Sequence, residues 1–152
     1  MTLLPENVEA FTNKFEQVVS ETIHPDSLVP EIVIDAEVSF NELTLSFYNI
    51  IHQMEPYGPE NLRPVFLVRN VVDSGNSKVV KEQHIRFCLK QSNCSFKGIG
   101  FNMAEKFSLV ESKKLLDVVF TLEENEWNGQ KSLQLKVIDF MLAESDTQVA
   151  SN

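Results

Sequence analysis

The sequence predicts an α+β fold, and three features of its apolar pattern carry the prediction. Over residues 5–54 apolar side chains recur mainly at three- and four-residue steps, as they do on helices. Residues 55–66, Glu-Pro-Tyr-Gly-Pro-Glu-Asn-Leu-Arg-Pro-Val-Phe, then place three prolines and a glycine where no helix can continue. Beyond them five runs alternate as strands do, at about 64–72, 83–91, 95–103, 115–123 and 131–140, with a stretch suited to a short helix, 104–114, between the third and fourth. That order is the element order of a five-stranded OB-fold β-barrel, here preceded by a mainly helical N-terminal extension.

From Pro5 to Thr22, Val8, Phe11, Phe15, Val18 and Val19 form one apolar stripe, with Pro5 suited to a first turn. The stripe packs either on this chain or on a further domain. Ile32 to Val38 alternates as a short strand. Ser39 with Glu42 three residues on reads as a capping box, with Val38 and Leu43 placed as a hydrophobic staple, opening a helix to Met54. Its core stripe would be Leu43, Phe47, Ile50, Ile51 and Met54, and Pro56 ends it. The proline-rich segment that follows is expected to cross as a stiff, nearly extended joint.

Charge divides the chain in the same place. The 152 residues carry a net charge of −9. Residues 1–55 hold ten acids and one base, residues 56–141 ten acids and twelve bases, and the tail two acids. A slightly basic barrel behind an acidic segment fits a nucleic-acid binder, and an ordinary solvated surface fits it too. The chain is too polar for a membrane span and begins with no secretory signal, so the expected location is cytoplasmic, with Cys88 and Cys94 reduced.

Alternation predicts what the barrel's second and third strands present outward, the face on which OB-folds commonly bind oligonucleotides. In the second, Ile85, Phe87 and Leu89 point in, leaving His84, Arg86, Cys88 and Lys90 outside. In the third, Ile99, Phe101 and Met103 point in, leaving Phe96, Gly98 and Gly100 outside as a floor where a base could stack; Lys97 then points inward unless the strand bulges. The outward glycines could instead serve to bend the strand. Lys78 and Lys81 lie in the loop before the second strand. Trp127 lies in the last loop beside Glu123, Glu124 and Glu126. No catalytic constellation is present: His24, His52 and His84 stand apart, no His or Cys pair has metal-ligand spacing, and there is no nucleophile elbow or phosphate-cradling glycine loop.

Residues 55–66 and the segment Phe-Thr-Leu-Glu-Glu-Asn-Glu-Trp-Asn-Gly-Gln-Lys-Ser-Leu-Gln-Leu at 120–135, with Ile99-Gly100-Phe101-Asn102 between them, resemble the C-terminal region of RecJ-type single-strand-specific exonucleases. The resemblance covers roughly residues 3–141. It implies that residues 1–38 are the tail end of a DHH-associated domain, 39–63 a connecting helix and proline-rich joint and 64–141 an OB-fold domain; residues 142–152, polar and without pattern, are expected to be a disordered tail. In that family DHH motifs bind manganese or magnesium and cut DNA from a 5′ end, in recombination and repair. Neither a DHH motif nor the Gly-Gly-His segment occurs in this sequence, so the chain would carry no catalytic residue and no metal or cofactor of its own. Glu60 and Leu62 replace a glycine and a proline of the family pattern, which weakens any inference at the joint. The expected function is therefore noncatalytic binding of single-stranded DNA through Arg86, Lys90, Lys78, Lys81 and Lys97, with Arg63 at the joint and Phe96 and Trp127 as stacking platforms. The expected partners are that DNA, the parent's catalytic domains and other repair proteins. The alternative is a module that docks on the nuclease core or a repair partner.

Overall fold

The structure is a computed structural model that describes residues 5–22 and 31–144, apart from the side chains of Glu6 and Trp127. It divides into two compact units, residues 1–32 and 33–152, so the segment expected at 1–38 is cut and its last residues belong with the barrel. In the first unit a 3-10 turn, Pro5–Asn7, leads into helix α1, Val8–Thr22, on which Phe11 and Phe15 stack with centroids 5.8 Å apart.

The second unit is an OB-fold barrel. Its strands are β1 (Ala36–Glu37), β2 (Phe66–Asp73), β3 (Lys78–Val80), β4 (His84–Gln91), β5 (Cys94–Gly100), β6 (Leu116–Trp127) and β7 (Gln130–Leu142). They follow the order β1-β2-β6-β7-β5-β4-β3, and a further β2–β4 pairing closes β2, β6, β7, β5 and β4 into a ring. All pairings are antiparallel except β1–β2 and β5–β7. The ring encloses Val68, Val71, Ile85, Phe87, Leu89, Leu116, Val118, Phe120, Leu135 and Phe140, each at most 2% exposed. Helix α3 (Phe107–Glu111), entered through a 3-10 turn at Ala104–Lys106, adds buried Val110 to that core and is shorter than the expected 104–114.

Two bulges let the long strands keep their apolar residues inside. Arg69 and Asn70 on β2 oppose the single residue Asp117 on β6, and Asn70 takes a positive φ of 57°. Asp117, buried, accepts from the Asn70 amide at 3.1 Å and from Arg69 Nη1 at 2.9 Å, while Arg69 Nε donates to Glu37 on β1 at 3.0 Å. On β7 the extra residue is Ile138, which keeps both Val137 and Phe140 turned inward.

Several expectations are corrected. The strand read at 32–38 shrinks to β1, because only Ala36 and Glu37 find a ladder partner, at Phe66 and Leu67. Ser39 and Glu42 do bond, the Ser39 amide donating to Glu42 Oε2 at 2.7 Å, but they close a turn that lowers Phe40 into the core. Burial of that phenylalanine outweighs the local helix signal, and α2 starts only at Leu45, running to His52, with Thr44 as its cap. Leu43 and Ile51 are buried as expected, whereas Ile50 and Met54 are exposed. The joint is not extended: Gly58 and Asn61 exchange backbone bonds of 2.9 and 3.0 Å across a turn with Pro59 at its second position. Asn61 Nδ2 pins it by donating to the carbonyls of Met54 and Pro56, and the Tyr57 hydroxyl donates to that of Ile51. The last hairpin is longer than expected, since Asn128 and Gly129 at φ 52° and 74° make a two-residue turn that leaves Glu123, Glu124 and Glu126 in β6. At the C-terminus Leu142 still belongs to β7, and the rest of the expected tail, from residue 145, lies outside the described residues.

Candidate nucleic-acid interface

The register of β4 against β5 decides which side chains face solvent. Gln91 pairs with Cys94 across the two-residue turn Ser92-Asn93, so Leu89 pairs with Phe96, Phe87 with Gly98 and Ile85 with Gly100. All three β4 partners are fully buried, and β5 therefore runs in the opposite phase to the expected one. Phe96 packs on Phe40 at 4.9 Å between centroids, and Gly98 and Gly100 are buried. Steric need explains the glycines: a Cβ on Gly98 would lie 3.1 Å from the Leu135 carbonyl oxygen, and one on Gly100 2.9 Å from the Phe87 ring. They make room for a closed barrel rather than for a ligand backbone.

With the phase corrected, Ser95, Lys97 and Ile99 point outward, and Phe101 follows in the turn beyond the strand. Lys97 joins the face instead of the core. Cross-strand pairing then orders the outer surface in rows. Lys78 on β3 pairs with Arg86, Arg86 with Ile99 and Ile99 with Lys136 on β7. Beside this row lie Cys88, Lys97, Gln134 and Glu123, and beside that Lys90 with Ser95. At about 4.8 Å between strands, a row crossing four strands spans roughly 14 Å.

Lys78, Arg86, Lys90 and Lys97 are all exposed, and none has an ion-pair partner among the described residues. Elsewhere Arg69 holds Asp117 and Glu37, Lys106 holds Asp139 and Lys131 holds Glu124, whereas Lys113 and Lys114 after α3 are, among the described residues, unpaired as well. Lys131 is correspondingly held above the usual lysine range by its hydrogen bond to Glu124. Lys78 stands in β3 rather than in a loop, while Lys81 lies exposed in the turn after it, at φ 51°. Arg63 is occupied, 3.1 Å from Glu123 and with its guanidinium 5.2 Å from the Tyr57 ring centre. The Trp127 side chain lies outside the described residues.

The aromatic on this face is Phe101, 51% exposed and edge-on to His84 at 5.1 Å, and not Phe96. His84 Nδ1 accepts from the Asn102 amide at 3.1 Å, which gives that histidine a structural partner. Lys136 and Phe101 are the residues the sequence reading missed; the two-residue turn Ser92-Asn93 was the signal that would have placed Phe101. Chemically the face offers cations, a ring and no acid–base pair. Among the described residues no three His, Cys, Asp or Glu side chains converge as metal ligands, and no helix is long and apolar enough to cross a membrane. His52 bonds Glu55 at 3.2 Å, and His24 lies outside the described residues.

The family model of the RecJ OB domain matches residues 34–139. The single-stranded-DNA-specific exonuclease RecJ of Bacillus subtilis is 23% identical over 95% of this chain, which covers 18% of that protein. The RecJ of Escherichia coli is 23% identical over 91% of the chain, covering 24% of its own length. The crystal structure of RecJ in complex with Mn2+ from Thermus thermophilus superposes with a TM-score of 0.70 at 20% identity, over 95% of this chain and 20% of that one. The chain thus spans about a fifth to a quarter of the relatives it matches.

Proposed function

This chain belongs to the RecJ OB domain family, and from that premise we propose that its barrel holds single-stranded DNA, in the cytoplasm, for a RecJ-like 5′ to 3′ exonuclease acting in recombination and repair. The observation that carries the proposal is the register-fixed group Lys78, Arg86, Lys90 and Lys97, exposed on one barrel face without carboxylate partners, beside the exposed ring of Phe101. The cations would contact phosphates and Phe101 would stack a base, which is how OB-folds hold a strand without reading its sequence. Hydrolysis, and the manganese or magnesium it uses, are assigned to DHH motifs that are not among these 152 residues. Of the segment expected at 1–38, residues 1–32 would continue the DHH-associated domain.

The proposal is tested by replacing Arg86 and Lys90 with alanine. At roughly 0.7 per phosphate contact, four contacts give a slope of log affinity against log salt near −2.8, and two a slope near −1.4. Between 50 and 200 mM salt that is about a 50-fold loss of affinity for the wild type and about 7-fold for the variant. An unchanged slope in a folded variant refutes the assignment. The exposed Ile50 on α2 and Met54 in the turn after it support a second reading, docking on the nuclease core or a repair partner. In that case the variant would keep its full protein binding.

A further inference from the structure

Glu123 holds two cations at once. Its Oε1 lies 3.1 Å from Arg63 Nη1 and 3.7 Å from Lys136 Nζ. Lys136 stands in the outer row with Arg86 and Ile99, and Glu123 follows Lys97 and Gln134 in the neighbouring row, so the trio sits at the rim of the cationic face. One anionic oxygen between a guanidinium and an ammonium is a place that a phosphodiester oxygen fits equally well. The side chains of Arg63, Glu123 and Lys136 are 38%, 34% and 48% exposed, so solvent screens the pairs and their exchange for another anion costs little. The Tyr57 ring, 5.2 Å from the guanidinium, keeps Arg63 in place when the carboxylate leaves.

We propose that Arg63 and Lys136 form a further phosphate subsite, covered in the free chain by the Glu123 carboxylate and opened when a phosphodiester displaces it. The proposal rests on the nucleic-acid reading and deepens it, because Glu123 then limits how many phosphates the face engages. While the carboxylate is present, a phosphate entering the subsite releases a carboxylate that gathers counterions in turn. The net ion release there is close to nil. Without the carboxylate, two more cations count.

The test is a fluorescence-anisotropy titration of a labelled oligothymidylate with the full chain at several salt concentrations. The variants are Glu123→Gln, Glu124→Gln and the double variant Glu123→Gln/Lys136→Gln. Glu124 pairs with Lys131 on the opposite side of the hairpin and makes an equal-charge control. Glu123→Gln is expected to tighten binding at low salt and to steepen the slope by about 0.7 to 1.4, while Glu124→Gln leaves the slope alone. Adding Lys136→Gln removes about 0.7 of that gain. Equal effects of Glu123→Gln and Glu124→Gln, or no effect of Glu123→Gln, overturn the subsite. If Glu123→Gln does not fold, Glu123→Thr, well suited to a strand, takes its place with the same expectations. A wild-type chain that binds no strand overturns the nucleic-acid reading and this inference with it. Binding that depends on Arg86 but is indifferent to Glu123 overturns the inference alone.

Discussion

Replacing Gly98 by alanine separates a core role for the β5 glycines from a ligand-facing one. The backbone of Gly98 has no positive φ, so alanine meets no conformational barrier there, and what it meets is steric. Its Cβ would lie 3.1 Å from the carbonyl oxygen and 3.2 Å from the Cβ of Leu135, the residue paired with it in the parallel β5–β7 ladder, and 3.5 Å from Phe87 Cβ. The first contact is with backbone held in a closed barrel, so relief requires β5 and β7 to part by a few tenths of an ångström. Overpacking of this kind costs about 1–3 kcal/mol, offset by about 0.4–1 kcal/mol from the reduced freedom of the unfolded chain. The net loss is about 1–2 kcal/mol, or roughly 4–8 °C in Tm for a barrel of this size. Thermal unfolding followed by circular dichroism measures it, with the salt slope of DNA binding recorded on the same samples. The core role predicts a lower Tm with an unchanged slope. An unchanged Tm with weakened DNA binding would refute it and restore the glycines to the ligand face.

Three further outcomes are expected. Phe101→Ala should weaken single-strand binding by roughly 1–3 kcal/mol in anisotropy titrations with little change in Tm, whereas Phe96→Ala, which strips a ring from Phe40, should lower the urea midpoint and leave the salt slope intact. Asp117→Ala leaves Arg69 Nη1 and the Asn70 amide without their buried partner at the bulge, and should destabilise the chain by about 1–3 kcal/mol, read from urea unfolding. Glu42 is held below the usual carboxylate range by its hydrogen bonds from the Ser39 hydroxyl and then the Ser39 amide. A folded pKa below the unfolded one stabilises the chain at neutral pH, and that contribution disappears as pH falls through the folded value. The Tm gap between wild type and Glu42→Gln should accordingly close on acidification.

What could be read from the sequence follows the range of the forces involved. The order of the five barrel strands and the inward set on β4 were legible, because period-two alternation is local and Ile85, Phe87 and Leu89 carry it cleanly. The phase of β5 was not. Its only bulky inward residue is Phe96, its other inward positions are the small Cys94 and two glycines sized by Leu135 and Phe87, and such a gap has no local signature. The joint misled for a similar reason: prolines forbid a helix, but the fold-back is set by Asn61 reaching the carbonyls of Met54 and Pro56. At the candidate site Arg86, Lys90 and Lys78 were visible as outward or loop cations. Lys136 and the covering role of Glu123 depend on the β6–β7 register, which pairs Thr121 with Lys136 and Glu123 with Gln134 and which alternation within each strand does not fix.

The most direct test of the binding face is the salt dependence of anisotropy for a labelled single strand against a duplex of the same length. A DNA-holding barrel predicts preference for the single strand and a slope near −2.8, roughly what four phosphate contacts set. No binding at low salt, or binding indifferent to salt, would contradict it.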